Sequence, residues 1–152
     1  MEMDEVLQLI KDKWAELSNS QFLDFKDFIE KSSWRPQGGK LECIGVYIIY
    51  EQRVPIYVGS AGKGNHVLKY RISDLFSYSP KSKNHFYHTL TKKLTIDYSK
   101  KKGKTTLEAL DCIRRFYLEK CSFKYVQTDT IDQARMLEQV FILLLNHPKH
   151  NG

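Results

Sequence analysis

Four side chains in this 152-residue sequence could together hydrolyse a phosphodiester bond. Tyr47 and Tyr57 could orient or deprotonate a water, Arg71 could hold a phosphate with its planar charged fork, and Glu138 could bind a divalent cation. A phenol titrates near pH 10, so a tyrosine becomes a useful base at neutral pH only beside a cation that favours the phenolate. Taken singly, strand tyrosines are usually packing residues and helix arginines usually face solvent. Only the arrangement of all four residues together can indicate whether they are catalytic.

The elements that would carry these side chains can be read from the hydrophobic pattern. Residues 45–50 and 55–59 predict a β-hairpin that holds both tyrosines, joined by a polar turn. A helix predicted from about Asn65 to Phe76 places Arg71 at the rim of its apolar face. A last helix, predicted from Ile131 to Leu145, places Glu138 beside its apolar stripe.

The rest of the pattern completes an α/β (α+β) fold. We expect a small, mainly antiparallel three-stranded sheet flanked by helices, with an N-terminal helical arm over residues 1–40 and a main domain over 41–152. The arm should contain one helix capped by Asp4 and a short second helix, and should pack on the main body or on a partner chain. The remaining predicted elements are a short helix near 84–94, a helix opened by the capping box Thr105/Glu108, a strand over 123–127 and a second capping box at Thr130/Gln133.

Composition sets limits on the class of protein. Apolar residues make up 41% and charged residues 28% of the chain, which is ordinary for a globular protein, and no apolar run reaches membrane-spanning length. The acidic N-terminus lacks the basic start of a secretory signal, and the three cysteines form no CxxC pair. These features predict an intracellular, cytoplasmic protein with no membrane association.

The charge permits a polyanionic partner without requiring one. The net charge is +6 and the isoelectric point is about 9.1, with the positive excess in 63–71 and 100–104. Taken alone, the lysine run 100–104 is more typical of a solvated loop than of a binding site. The lysine run supports nucleic-acid binding only if the rest of the sequence also points to a nucleic-acid partner.

The two hairpin phrases, Gly45-Val46-Tyr47 and Tyr57-Val58-Gly59, resemble the paired motifs of the GIY-YIG nucleases, with valine in place of both isoleucines. In that family a helix with an essential arginine follows the hairpin, a later helix carries the metal-binding glutamate, and a Pro-x-x-Asn ending is common. Arg71, Glu138 and Pro148-Lys149-His150-Asn151 occur here in that order. The resemblance covers roughly residues 43 to 151.

The resemblance implies a role for each matching residue. Tyr47 would be the general base and Tyr57 its assistant, Arg71 would bind the scissile phosphate, Glu138 would hold one Mg²⁺ or Mn²⁺, and Asn151 would position the end of the site. A lysine or histidine near the second motif would assist, and Lys63, His66 and Lys69 stay open as candidates, with Lys63 favoured by its glycine-containing loop.

The chain departs from the family at Leu75, where many relatives have a histidine or tyrosine. His85 or His88 could supply an imidazole instead, although both also suit an exposed helix surface. The residues predicted to contact nucleic acid are Lys63, His66, Lys69, Arg71, Lys101 and Lys102.

The leading hypothesis is a divalent-metal-dependent endonuclease that acts on DNA, with RNA as an alternative substrate. A non-catalytic nucleic-acid-binding module on the same scaffold is the alternative function. No zinc finger or recognition-helix motif is evident in the sequence, so loops around the site, a homodimer or a partner protein would supply specificity.

Overall fold

A three-stranded antiparallel sheet lies at the centre of the fold, as the sequence predicts. The computed structural model describes residues 1–82 and 85–151. In chain order its elements are α1 (Met3–Asn19), β1 (Ile29–Glu30), β2 (Arg35–Pro36), β3 (Gly45–Glu51), β4 (Val54–Ala61), α2 (Leu68–Asp74), β5 (Tyr78–Ser79), β6 (His85–Phe86), α3 (Thr89–Lys102), α4 (Thr106–Lys120), β7 (Cys121–Gln127) and α5 (Ile131–Leu144).

Strand β3 is the centre of this sheet, with β4 and β7 as its antiparallel neighbours. Gln52 and Arg53 turn the chain between β3 and β4, both with positive φ, as a two-residue hairpin turn that follows the sheet twist requires. Tyr47 lies opposite Gly59 on one side and Tyr125 on the other. The predicted fold, a small antiparallel sheet flanked by helices, is confirmed.

The two faces of the sheet bury two hydrophobic clusters, because successive strand residues point to opposite faces. Tyr47 and Ile49 pack with residues of α2, α4 and the arm on one face. Val46 and Ile48 pack with α1 and α5 on the other. Among the helices of the described residues, none joins the length and the apolar character that crossing a membrane demands.

The N-terminal arm packs on the main body, one of the two expected arrangements. Phe25 and Ile29 are buried in the cluster that contains Tyr47, and Leu23 exchanges two backbone hydrogen bonds with Phe123 of β7. Asp4 lies in the first turn of α1 and is not its cap, so that prediction is wrong. The second predicted helix is only a 3₁₀ turn, Phe25–Asp27, because burial of Phe25 and the pairing of β1 with β2 redirect the chain.

Two further helices differ from the sequence prediction. The helix predicted over residues 65–76 becomes a 3₁₀ turn, Gly64–His66, and the shorter α2, because Val67 between them is extended. The helix predicted near residues 84–94 gives way to β6 and to α3, which starts at Thr89; Asn84, the predicted start, lies outside the described residues.

The prediction that residues 100–104 form a solvated basic loop is also wrong in part. Lys100, Lys101 and Lys102 form the last turn of α3, where positive charge suits the helix dipole, and Gly103 ends the helix with φ of 62°.

Both predicted helix starts are found in the structure. Thr105 and Glu108 form the complete capping box that opens α4. At α5, the Thr130 hydroxyl accepts from the Gln133 N–H as predicted, but the Gln133 side chain accepts from the N–H of Asp129 instead of Thr130. The helix therefore starts where expected, with one of the two reciprocal bonds moved by one residue.

The ring of Tyr47 occupies the space beside Gly59 and gives this glycine a steric role. A Cβ at Gly59 would overlap the Tyr47 ring and hydroxyl, and a Cβ at Gly45 would overlap the carbonyl of Val126. Both glycines of the hairpin phrases are therefore required by close packing, and neither has a positive φ.

We expect Gly59→Ala to lower the free energy of unfolding by about 1–3 kcal/mol, because a methyl group would be forced into a filled space. Chemical denaturation of both proteins measures the difference. Gly39→Ala is the matched control, since a Cβ there meets only Glu42 Oε1 at 3.9 Å. Equal stability of the two variants would show that the Tyr47 ring does not depend on Gly59.

Candidate active site

Tyr47 is fully buried, and its hydroxyl is satisfied by a histidine from a distant part of the chain. Its Oη lies 2.8 Å from Nε2 of His88. The other ring nitrogen, Nδ1, accepts the N–H of Leu90 at 3.1 Å, because His88 is the N-cap of α3. A nitrogen that accepts an amide proton carries none itself, so the proton of neutral His88 is on Nε2 and is donated to Tyr47.

His88 stays neutral over the physiological pH range. Burial, helped by the positive charge of Arg71, lowers the pKa of His88 to about 3. His88 is therefore a hydrogen-bond donor to Tyr47 and does not act as its base. Of the two histidines that the sequence left open, the structure brings His88 to the tyrosines, whereas His85 is exposed with its ring against Tyr87.

Tyr57 lies next to this pair and is less buried. Its ring centre is 6.2 Å from that of Tyr47 and 5.3 Å from that of His88. Burial raises the pKa of Tyr57, and hydrogen bonds with Thr89 and Tyr47 together with the charge of Arg71 offset only part of this rise. Burial likewise raises the pKa of Tyr47, against the lowering effect of Arg71. Both phenols are therefore protonated at neutral pH unless a further cation approaches.

Arg71 connects the tyrosines to a cationic cleft of about 320 Å³. Burial lowers the pKa of Arg71, but the Tyr47 phenol and the Asp74 carboxyl more than compensate and the pKa is raised. Nη1 of Arg71 lies 3.0 Å from Oδ2 of Asp74. Lys63, His66 and Arg135 line the same cleft, so two of the open candidates, Lys63 and His66, are brought to Arg71.

Arg135 is a residue that sequence reasoning missed. It lies three positions before Glu138 in α5, which places both on neighbouring parts of the helix surface. The three-residue spacing is visible in the sequence. The sequence does not show, however, that this part of α5 lies beside residues 60–63, with which Arg135 lines the cleft. The cleft therefore has the basic side chains of Arg71, Lys63 and Arg135 around a space open to a phosphate.

Glu138 is the carboxylate placed near the tyrosines. It is half-buried, accepts a hydrogen bond from Nε2 of Gln139 at 3.3 Å, and its charge helps to raise the pKa values of Tyr57 and Tyr47. The described residues contain no group of three or more His, Cys, Asp or Glu side chains that could hold a metal ion. A hard cation bound through one carboxylate keeps its waters and takes phosphate oxygens, so Glu138 fits a cation site that substrate completes.

Asn151 closes the outer edge of β4 beside the tyrosines. Its Oδ1 accepts the Val58 N–H at 2.7 Å, and its Nδ2 donates to the Val58 carbonyl at 2.8 Å. This bidentate pairing fixes the strand between Tyr57 and Gly59. That Asn151 positions the end of the active site stays a prediction. It would do so through these two hydrogen bonds with the Val58 backbone.

Three predicted nucleic-acid contacts are not among the residues that line the cleft. Lys69 forms an ion pair with Glu42, and its ammonium lies 5.0 Å from the ring centre of Tyr70. Lys101 and Lys102 are exposed at the end of α3. Any contribution of these lysines would have to come from substrate that extends beyond the cleft.

Comparison with known proteins adds no relative to this picture. A scan against protein-family models finds no match, and searches of curated proteins and of solved structures find none either. The resemblance to the GIY-YIG nucleases therefore rests on the sequence motifs alone.

The buried, neutral state of His88 predicts a pH-dependent stability. The pKa of His88 is about 3 in the folded protein, below the ordinary value of 6.5, so the unfolded chain binds the proton more readily. Its contribution to stability is complete above pH 6.5 and is lost as the pH falls toward 3, by about 1.4 kcal/mol per pH unit. Denaturant titrations from about pH 7, just above the ordinary pKa of histidine, down to about pH 5 measure this slope.

His88→Asn should remove this component of the slope, because asparagine can still cap α3 but does not titrate. His85→Asn is the matched control and should keep it, since His85 is exposed. An unchanged slope in His88→Asn would contradict the assignment of a buried neutral imidazole.

Proposed function

We propose that this protein is a divalent-metal-dependent endonuclease that hydrolyses phosphodiester bonds in DNA. The observation that carries the proposal is that Tyr57, Arg71 and Glu138 all act on the buried Tyr47 hydroxyl, which His88 hydrogen-bonds, beside a cationic cleft. These side chains come from β3, β4, α2 and α5, which are separate in sequence. RNA stays an alternative substrate, because phosphate contacts alone do not distinguish it from DNA.

The scissile phosphate would bind in the cleft between Arg71, Lys63 and Arg135. A planar guanidinium can pair with two phosphate oxygens, and Arg71 is held in place by Asp74. The same fixed charges would stabilise the additional negative charge of the transition state, which is the main route by which such sites accelerate phosphoryl transfer.

Tyr47 would accept the proton of the attacking water as its phenolate, after the phenol proton has been lost to solvent. Two neighbours favour its phenolate, since His88 donates Nε2–H to Oη and Arg71 lowers the pKa of the hydroxyl. Because Tyr47 is fully buried, we place the approach of the water on the side of Tyr57, which is less buried. Tyr57 would orient this water.

Glu138 would hold the Mg²⁺ or Mn²⁺ ion. When bound, the ion supplies positive charge that polarises the phosphate and makes deprotonation of the nearby water and phenol easier. Glu138 itself fixes where that charge lies relative to the two tyrosines.

The same cleft would also serve the alternative function, that of a module that binds nucleic acid without cutting it. The raised pKa values of Tyr47 and Tyr57 favour this alternative wherever no cation binds, because both phenols then stay protonated. In either case we infer that target choice comes from the loops around the site, from a homodimer or from a partner protein, and that the protein acts on nucleic acid inside the cell.

The two functions are separated by a cleavage assay on duplex, branched and single-stranded DNA and on RNA, with Mg²⁺ or Mn²⁺. Tyr47→Phe should lower the cleavage rate by about 10²- to 10⁴-fold, the usual contribution of a general base, while cation binding persists. Glu138→Gln should reduce cleavage to the rate seen without metal and should remove cation binding measured by calorimetry.

Asp132→Asn is the matched control for Glu138→Gln, because Asp132 is an exposed carboxylate in the same helix. It should cleave at the wild-type rate. Full cleavage by Glu138→Gln would exclude Glu138 as the metal ligand, and salt-sensitive DNA binding without cleavage in either metal would establish the binding module instead.

Arg135 provides a test of the cleft that does not involve the chemical step. Arg135→Ala should weaken DNA binding and reduce the slope of log affinity against log salt by about 1, because one phosphate contact is lost. Arg115→Ala, which removes an exposed arginine of α4, should leave the slope unchanged. Equal slopes for the two variants would place the phosphate elsewhere.

A further inference from the structure

A second cleft, of about 360 Å³, lies on the other side of the Arg71–Asp74 ion pair. Asp74 lines this second cleft, whereas Arg71 lines the cationic one. We call it the aromatic cleft, because four aromatic residues and two arginines contribute to its wall: Trp34, Tyr70, Tyr78, Tyr87, Arg35 and Arg114. The Arg71–Asp74 ion pair thus contributes one residue to each cleft.

Arg114 is the most constrained cation of the aromatic cleft. Trp34 lies parallel to Phe76, with ring centres 5.4 Å apart and an interplanar angle of 4°, and the Arg114 guanidinium carbon lies 4.6 Å from the Trp34 ring centre. Nε of Arg114 donates to the Phe76 carbonyl at 2.9 Å. This layered stack holds the guanidinium in a fixed plane.

Arg114 is poorly compensated for so buried a charge. Its side chain is 16% exposed, and the carboxylate within ion-pair distance is that of Asp111, which is 73% exposed and 3.9 Å from Nη1. That distance is too long for a hydrogen bond. A buried cation normally has close partners, so the Nη groups at this cleft are suited to a polar ligand.

The backbone also holds Trp34 in an unusual conformation. Its φ is 59°, in the left-handed region that a bulky residue rarely adopts. The β1–β2 turn therefore orients the indole against Phe76, just after α2, and against Arg114 of α4, at the expense of local backbone preference. Strain of this kind is common at ligand-binding positions.

We propose that the aromatic cleft binds an unpaired nucleobase of the strand whose phosphate is held by Arg71. This inference rests on the proposed function for the position of the phosphate. Unstacked bases are bound by aromatic rings and by arginine planes, and both are present here. Tyr87 is 46% exposed, so part of its ring can contact a base although the ring also meets His85 edge to face. The Asp74 carboxylate can accept from an exocyclic amine at the base edge.

The consequence is a substrate class. A base that is paired and stacked in a duplex cannot enter the aromatic cleft while its phosphate lies at Arg71, so a nucleotide that is already unpaired costs less to bind. The protein should therefore prefer DNA with an unpaired nucleotide next to the bound phosphate, such as a bulge or a single strand, over a fully paired duplex of the same length.

The test measures affinity without divalent cation, so that cleavage is not required. Two fluorescent DNA probes are used, a duplex with a single-nucleotide bulge and the matching paired duplex. The wild-type protein should bind the bulged duplex more tightly. Tyr87→Ala should weaken binding to the bulged duplex by about 5- to 100-fold, the usual range for one stacked base, with little effect on the paired duplex.

Two conservative variants separate the proposed contact from a general loss of structure. Tyr87→Phe should bind like the wild type, because the ring is kept. Arg114→Lys should lose the preference for the bulge, because the charge is kept but the planar group is not, whereas Arg115→Lys should retain it. Circular dichroism and thermal unfolding confirm that each variant is folded.

Each outcome separates this proposal from the nuclease assignment. If Tyr87→Ala and Arg114→Lys are folded and keep the wild-type preference for the bulge, or if the wild-type protein shows no preference, the aromatic cleft does not bind a base, whatever the cleavage assay gives. If the preference is lost in these variants but no variant or wild-type protein cleaves DNA, the cleft is a base-binding site in a non-catalytic module.

Discussion

The fit of the Tyr47 ring beside Gly59 is the constraint on which the site depends. The ring fills the place of a side chain at Gly59, so it fixes the register of β3 against β4. Burial of its hydroxyl then requires a partner, because an unsatisfied buried hydroxyl costs about 1–3 kcal/mol. His88 satisfies it only because the start of α3 lies against the sheet, where the Leu90 N–H determines which nitrogen carries the proton.

The electrostatics follow from the same burial. A buried phenol resists ionisation, so Tyr47 and Tyr57 need positive charge close by, and the fold supplies it from Arg71 at one side. Glu138 has the opposite effect on both tyrosines, which makes the arrangement unfavourable for a phenolate until its charge is neutralised. If a cation binds at Glu138 as proposed, it would lower the pKa of both tyrosines, and that response would link metal binding to proton transfer.

The sequence predicted best what local interactions determine. The hairpin, the strand at residues 123–127 and the helix starts at Thr105 and Thr130 depend on neighbouring residues, and all are present. His88 could not be separated from His85 in this way, because the difference between them is burial, which depends on where α3 docks. Arg135 and Arg114 were missed for the same reason, since both line clefts formed by elements that are distant in sequence.

The N-terminal arm illustrates how an element distant in sequence could contribute to substrate recognition. Its phenylalanines share a core with the sheet, and Trp34 at its hairpin forms one wall of the aromatic cleft with Arg114 of α4. A base in that cleft would contact the arm while its phosphate contacts α2, so the arm would select the substrate although it is acidic on balance in its first thirty residues. Selection by stacking needs planar groups and not net charge. The absence of a recognition motif from the sequence is therefore compatible with a substrate preference that arises from the packing of the arm.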